Sequence, residues 1–208
     1  MTSSIFQTTE LGFQTLQASV AARVDLDVRL PRWPFREARG YALIFEYDRL
    51  LGGRFGNVLA ELAETYGDDE VTAVGIDPRP AYYRDEYGLF PAFQVKGDRV
   101  RGEYGAALRF EPAGDPTGSL GDSLNAIAVA GSSGAWAVFG QRDWEIGLLL
   151  APDSHGGWLA AGVPWFGADV DLDSIRSPAG WGANLSDADR EEFARRIREY
   201  GSGPRSGL

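Results

Sequence analysis

Cysteine is absent from the 208 residues, and histidine, lysine and methionine occur only once each. Without cysteine the chain can form no disulfide, no thiolate metal site and no cysteine nucleophile. The one histidine, His155, lies in Asp153-Ser154-His155-Gly156-Gly157, where neighbours in a glycine-flanked loop cannot fix a base between two partners. An exposed loop histidine is the simpler interpretation, and the sequence contains no complete motif for metal, phosphate or acyl chemistry.

Long apolar runs are also lacking. No window approaches the ~20 apolar residues that a membrane span needs, and the first fifteen residues show no basic-then-apolar secretory signal. We therefore expect a cytoplasmic protein. Hydrophobic residues make up 44% of the chain and aromatic residues 12%, which favours one globular domain over residues 1 to 208 with a frayed tail from 201 to 208.

Basic residues become scarce in the second half of the chain. Between Glu111 and Asp189 there are eleven acidic residues and two basic ones, Arg142 and Arg176, which gives a charge of −9. Nucleic acid and anionic membranes are poor partners for such a surface, because both require clustered Lys and Arg. A basic protein partner fits better, although the acidity could also serve only solubility.

The hydrophobic periodicity predicts an α+β fold with a mainly antiparallel sheet, flanked by two or three helices. Its clearest part is a C-terminal meander of strands over 124 to 130, 135 to 139 and 144 to 150, which are separated by glycine-containing turns. Helices are expected over 55 to 66, ended by Gly67, and over 186 to 200.

Further elements are predicted upstream of the meander. Alternation of charged and apolar residues indicates a strand over 23 to 30. Strands over 41 to 47, expected to be central, and 71 to 76 flank the first helix, so a parallel pair with a right-handed crossover is plausible. Residues 79 to 93 are interpreted as an ordered loop, and 93 to 95 with 100 to 110 as a hairpin around 96 to 99.

One loop suggests an anion site. In Gly52-Gly53-Arg54-Phe55-Gly56-Asn57 the candidate residues are Gly53, Arg54 and Gly56, with backbone amides at a helix start and Arg54 as a clamp. The loop lacks the Gly-x-Gly-x-x-Gly spacing and the Lys-Ser/Thr ending of nucleotide loops. The alternative is a turn whose glycines supply positive φ.

An acidic ridge is predicted at Asp169, Asp171 and Asp173. Their spacing is that of the start of an EF-hand loop, but Ser174 and Gly180 replace its glycine and its final glutamate, so no metal site is expected. Trp165 and Trp181 flank the ridge and are either interface anchors or core residues.

Three segments carry a resemblance to known proteins: residues 131 to 144 (GSSGAWAVFGQRDW), 114 to 118 (GDPTG) and 52 to 56 (GGRFG). Together they resemble uncharacterised intracellular proteins of high-GC bacteria, a source with which nineteen Arg to one Lys agrees. In size, acidity and α+β pattern the chain is similar to immunity proteins that neutralise secreted toxins.

This resemblance and the charge distribution predict a non-catalytic, acidic protein-binding protein without a cofactor, an immunity protein or adaptor for a basic partner such as a nuclease toxin. Asp169, Asp171, Asp173, Trp165 and Trp181 would form its partner-binding face. The alternative is a small-molecule or nucleotide-binding enzyme that uses the 52 to 57 loop with Arg54.

Overall fold

A computed structural model describes residues 5–36, 40–114, 116, 118–152 and 187–201. The helices in these ranges are α1 Glu10–Ala21, α2 Tyr47–Leu51, α3 Phe55–Tyr66, α4 Pro80–Tyr87, α5 Val100–Leu108, α6 Leu120–Ser123 and α7 Asp187–Gly201. The strands are β1 Tyr41–Glu46, β2 Glu70–Asp77, β3 Ala92–Lys96, β4 Ala126–Gly131, β5 Ala137–Gln141 and β6 Ile146–Ala151. None of the described helices is both long and apolar enough to cross a membrane.

The six strands form one sheet in the order β1-β6-β5-β4-β2-β3, and every neighbouring pair is antiparallel. The predicted α+β class with a mainly antiparallel sheet is therefore confirmed. The meander is confirmed as well: β4, β5 and β6 are adjacent in both chain and space, each starting about two residues later than the sequence suggested.

A hydrophobic core lies on each face of the sheet. Successive residues of a strand point to opposite faces, so the apolar strand residues contribute to both cores. One core contains Phe45, Val129 and Val138 together with residues of α3 and α5. The other contains Ile44, Phe139 and three alanines of β4, Ala126, Ala128 and Ala130, packed with α1. These small side chains let α1 lie close to the strands.

Two predicted helices are confirmed. In α3 the buried Phe55, Leu59 and Leu62 recur at helical spacing, and Gly67 ends the helix in the left-handed region at φ 69°. In α7 the buried Phe193 lies with its ring 5.6 Å from that of Trp144. The two helices pack on opposite cores, so each face of the sheet has its own cover.

The predicted parallel pair of strands is wrong. β1 and β2 are separated by β6, β5 and β4, and β1 ends the described sheet rather than lying at its centre. The continuous apolar run in β1 reflects cover on both faces, which a strand at the end of a sheet also has when helices pack on it.

The predicted hairpin around 96 to 99 is wrong, because β3 is followed by helix α5. Val100, Tyr104 and Leu108 are buried at intervals of four, which is a helical period. The loop predicted over 79 to 93 contains α4, with Pro80 in its first turn and Gly88 as a left-handed C-cap.

The strand predicted over 23 to 30 is also wrong. Only Val24 forms a bridge, to Phe35. The amides of Val28 and Arg32 donate to the carbonyls of Asp25 and Arg29, so the segment folds as consecutive turns. The sequence alternates like that of a strand, but only Val24 and Leu30 of the four apolar residues are buried.

Candidate functional site

A cavity of about 590 Å³ opens beside the last residues of β2, on the face of the sheet that carries α1. Strand β3 leaves β2 after the pair Val74↔Ala92, and the register with β4 shifts between Gly75 and Asp77. The backbone of Gly75 then donates to the carbonyl of Pro91 at 2.6 Å. This irregular strand end forms part of the cavity wall.

The cavity has an apolar floor. The rings of Phe13 in α1 and Phe90 stack with centroids 4.6 Å apart and planes 9° from parallel, and both residues are buried. Val74 and Ile76 of β2 and the half-buried Leu26 also belong to the apolar lining, as do Pro80 and Ala81 of α4. Such a floor can receive the apolar part of a small molecule.

Charged side chains surround this floor: Arg29, Arg79, Arg84, Glu10 and Asp27. We call the whole feature the arginine cavity. Arg84 has acidic partners, since its guanidinium lies 2.7 Å from Asp85 and 3.7 Å from Glu10. The hydrogen bond and charge of Asp85, followed by the charge of Glu10, raise the pKa of Arg84. Arg84 is therefore already neutralised in part.

Arg29 and Arg79 differ from Arg84 in having no acidic partner among the described residues. Nη1 of Arg29 donates to the carbonyls of Leu26 and Val28 at 2.8 and 2.9 Å, which holds one side of its guanidinium against the turn. Arg79 is exposed and occupies the N-cap position of α4. Both can offer further N–H groups to an anion in the cavity.

No sequence motif predicts this site. Its residues come from α1, the turns after it, β2 and α4, and no short motif joins them. One signal was available, since Arg79-Pro80 is typical of a helix start and places Arg79 at that start. The convergence of Arg79 with Arg29 depends on the tertiary fold.

The predicted anion loop, 52 to 57, lies elsewhere, at the start of α3. The amides of Phe55, Gly56 and Asn57 donate to the carbonyls of Gly52, Gly53 and Arg54, so the first turn of α3 has no free amides to offer. Arg54 itself is exposed. The amides of Phe55, Gly56 and Asn57 are therefore already used within the chain, and anion binding by Gly53, Arg54 and Gly56 stays a prediction.

The glycines of this loop have a packing role. The alternative interpretation, a turn whose glycines supply positive φ, is wrong, because none of Gly52, Gly53 and Gly56 has a positive φ. A Cβ on Gly56 would lie 2.9 Å from the carbonyl oxygen of Arg101, and one on Gly105 would lie 2.9 Å from Cα of Gly53. The missing side chains let α3 and α5 approach closely.

A second polar cluster lies in the core opposite α1. The hydroxyl of Tyr47 and Nε of Arg142 both donate to the carbonyl of Leu124, at 2.8 and 3.0 Å, and Nη2 of Arg142 donates to that of Gly121. Burial raises the pKa of Tyr47, so the phenol stays a donor at neutral pH. These donors fix α6 and the chain after it, which is a structural task.

The other predicted site residues lie outside the described residues. These are Asp169, Asp171, Asp173, Trp165 and Trp181, and their role in binding a partner stays a prediction. His155, interpreted as an exposed loop histidine, also lies outside the described residues. Within the described ranges no three acidic or imidazole side chains come together as a metal site.

Comparisons of this chain with protein-family models, with curated proteins and with solved structures found no match.

Proposed function

We propose that the protein binds a small organic anion in the arginine cavity. The observation that carries this proposal is that Arg29 and Arg79 line a cavity with an apolar floor while neither has an acidic partner within the described residues. Guanidinium groups recognise carboxylates and phosphates through paired N–H donors. The anionic end of the ligand would meet these arginines, and its apolar part would contact Phe13 and Phe90.

The size and composition of the cavity support this proposal. Its volume of about 590 Å³ falls within the range of small-molecule sites, roughly 300 to 1,000 Å³. A few polar groups above an apolar floor are also typical of such sites. Arg79 is exposed, so water screens its attraction for an anion, and the affinity would be moderate.

Arg79→Ala is the direct test. With 3-phenylpropionate as the probe, measured by isothermal titration calorimetry, we expect the variant to bind about tenfold more weakly, since one charge-assisted contact is worth roughly 1.4 kcal/mol here. Arg32→Ala is the matched control, because Arg32 is an exposed arginine of the same region outside the cavity lining. Equal loss of binding in both variants would contradict the proposal.

We propose docking of a basic protein as a second function, which the charge distribution favours. Eleven acidic residues against two basic ones between 111 and 189 give this stretch of the chain a strongly negative charge. An immunity protein of a nuclease toxin would present carboxylates in place of the phosphates of the substrate, which steers association and blocks the nuclease. Asp169, Asp171 and Asp173 would supply charge, and Trp165 or Trp181 an apolar anchor.

The test of docking is to replace Asp169, Asp171 and Asp173 together by lysine. Partner capture from the native cell should weaken by about tenfold or more and lose much of its salt dependence, because the reversed charges repel a basic surface. Replacing the exposed Glu64, Asp69 and Asp98 by lysine is the matched control, since it changes the net charge equally outside the 111 to 189 stretch. Unchanged capture in the first variant would show that the acidity serves only solubility.

A further inference from the structure

Asp27 gives the arginine cavity a negative group beside its positive ones. The two carboxylates of the cavity differ in their surroundings. Glu10 accepts a hydrogen bond from Gln14 at 3.1 Å and lies 3.7 Å from Arg84, so other groups of the chain already satisfy it. The Asp27 side chain is exposed and has no such partner within the described residues.

The turn that carries Asp27 is held in place by its own hydrogen bonds. The backbone amide of Asp27 donates to the carboxylate of Asp25 at 3.2 Å. Two residues further on, Arg29 donates to the carbonyls of Leu26 and Val28. One short segment thus brings an acidic group and a basic group, Asp27 and Arg29, to the lining of the same cavity.

A purely anionic ligand would leave this arrangement poorly matched. It would gain from Arg29 and Arg79, but the nearby carboxylate of Asp27 would repel it. A ligand that also carries an ammonium group would turn this repulsion into attraction. The apolar floor of Phe13 and Phe90 favours a ligand that also contains an apolar or aromatic group.

We propose that the ligand is a zwitterion, an α-amino acid with an apolar or aromatic side chain. This inference rests on the anion-binding function proposed above and narrows its ligand class. The carboxylate of the amino acid is bound by Arg79 and Arg29, its ammonium group by Asp27, and its side chain by the apolar floor. Asp27 is thus the residue that determines specificity.

Three probes with the same ring separate the contributions: L-phenylalanine carries both charges, 3-phenylpropionate only the carboxylate, and 2-phenylethylamine only the ammonium. In calorimetric titrations of the wild-type protein we expect L-phenylalanine to bind about tenfold tighter than 3-phenylpropionate, with 2-phenylethylamine the weakest. Asp27→Asn should abolish the preference for L-phenylalanine while 3-phenylpropionate binds at least as well as before. The remote, exposed Asp69→Asn is the matched control and should keep the preference.

The outcomes distinguish the two proposals. If 3-phenylpropionate binds as tightly as L-phenylalanine and Asp27→Asn changes neither, the zwitterion is ruled out while anion binding in the cavity stands. Binding of adenosine monophosphate that Arg79→Ala abolishes, with no binding of L-phenylalanine, would also overturn the zwitterion and leave the anion site. If the wild-type protein binds none of these four compounds, both proposals fail.

Discussion

Replacing Asp68 by alanine is expected to lower the free energy of unfolding by about 3 kcal/mol, measured by urea denaturation. Asp68 is buried between α3 and β2, and its carboxylate accepts hydrogen bonds from two donors across the fold. These are the backbone amide of Ser133, at 2.5 Å, and Nε1 of the fully buried Trp136, at 2.7 Å. Alanine would leave the buried indole N–H of Trp136 and the part-buried amide of Ser133 without this acceptor, which costs more than the bonds themselves contribute.

Two variants test this explanation. Asp69→Ala removes an exposed carboxylate next in sequence and should change stability by less than about 0.5 kcal/mol. Trp136→Phe removes one of the two donors, so in a double-mutant cycle Asp68→Ala should cost less in its background than in the wild-type protein. Additive effects would show that the carboxylate and the indole do not act together, and the explanation would be wrong.

Asp68 also illustrates what the sequence could not show. It follows Gly67, the helix end that was predicted correctly, and in that position an aspartate looks like an ordinary loop residue. Its partner Trp136 is 68 positions away, in the meander. Local patterns predicted α3 and the three strands of the meander because those elements depend on periodicity and turn residues. A contact between distant residues leaves no such pattern.

Two of the wrong predictions have identifiable physical causes. Residues 23 to 30 alternate like a strand, but they pair only at Val24, because neighbouring turns take up their hydrogen bonds. In α5 the glycines at 102 and 105 have a low helix propensity, so the sequence did not look helical although its apolar residues recur every four positions. In α5 tertiary packing overrode the low helix preference of glycine, since Gly105 allows the close approach of Gly53.

The two candidate sites differ in whether a contiguous motif marks them. The 52 to 57 loop was found because it is a contiguous motif, yet the amides of Phe55, Gly56 and Asn57 are used within the first turn of α3. The arginine cavity was missed because Arg29 and Arg79 are fifty positions apart and neither belongs to a motif. The cavity forms where β3 leaves β2 and the register of β2 with β4 shifts, and strand register is a property of the whole sheet.

Gly147→Ala is expected to lower the free energy of unfolding by about 2 kcal/mol, because it overfills a packed core. Gly147 lies opposite Gly140 in the β5–β6 pair and opposite Phe45 in the β1–β6 pair. A Cβ at this position would overlap the Phe45 ring. That ring cannot move freely, since it is fully buried and lies 4.9 Å from the ring of Phe55. Urea denaturation measures the effect.

The matched control is Gly102→Ala, the same substitution at a position where the added methyl group meets no other atom. Gly102 lies in α5, and a Cβ there would meet no atom within 4 Å. Because alanine favours a helix, this variant should be stabilised by roughly 0.5 to 1 kcal/mol, which is opposite in sign to the effect at Gly147.

Phe45→Leu provides the second check, since a smaller side chain vacates part of the space that a Cβ at position 147 would need. Gly147→Ala should then cost less in the Phe45→Leu background than in the wild-type protein. If its cost is the same in both backgrounds, contact with the Phe45 ring is not the reason that position 147 is a glycine.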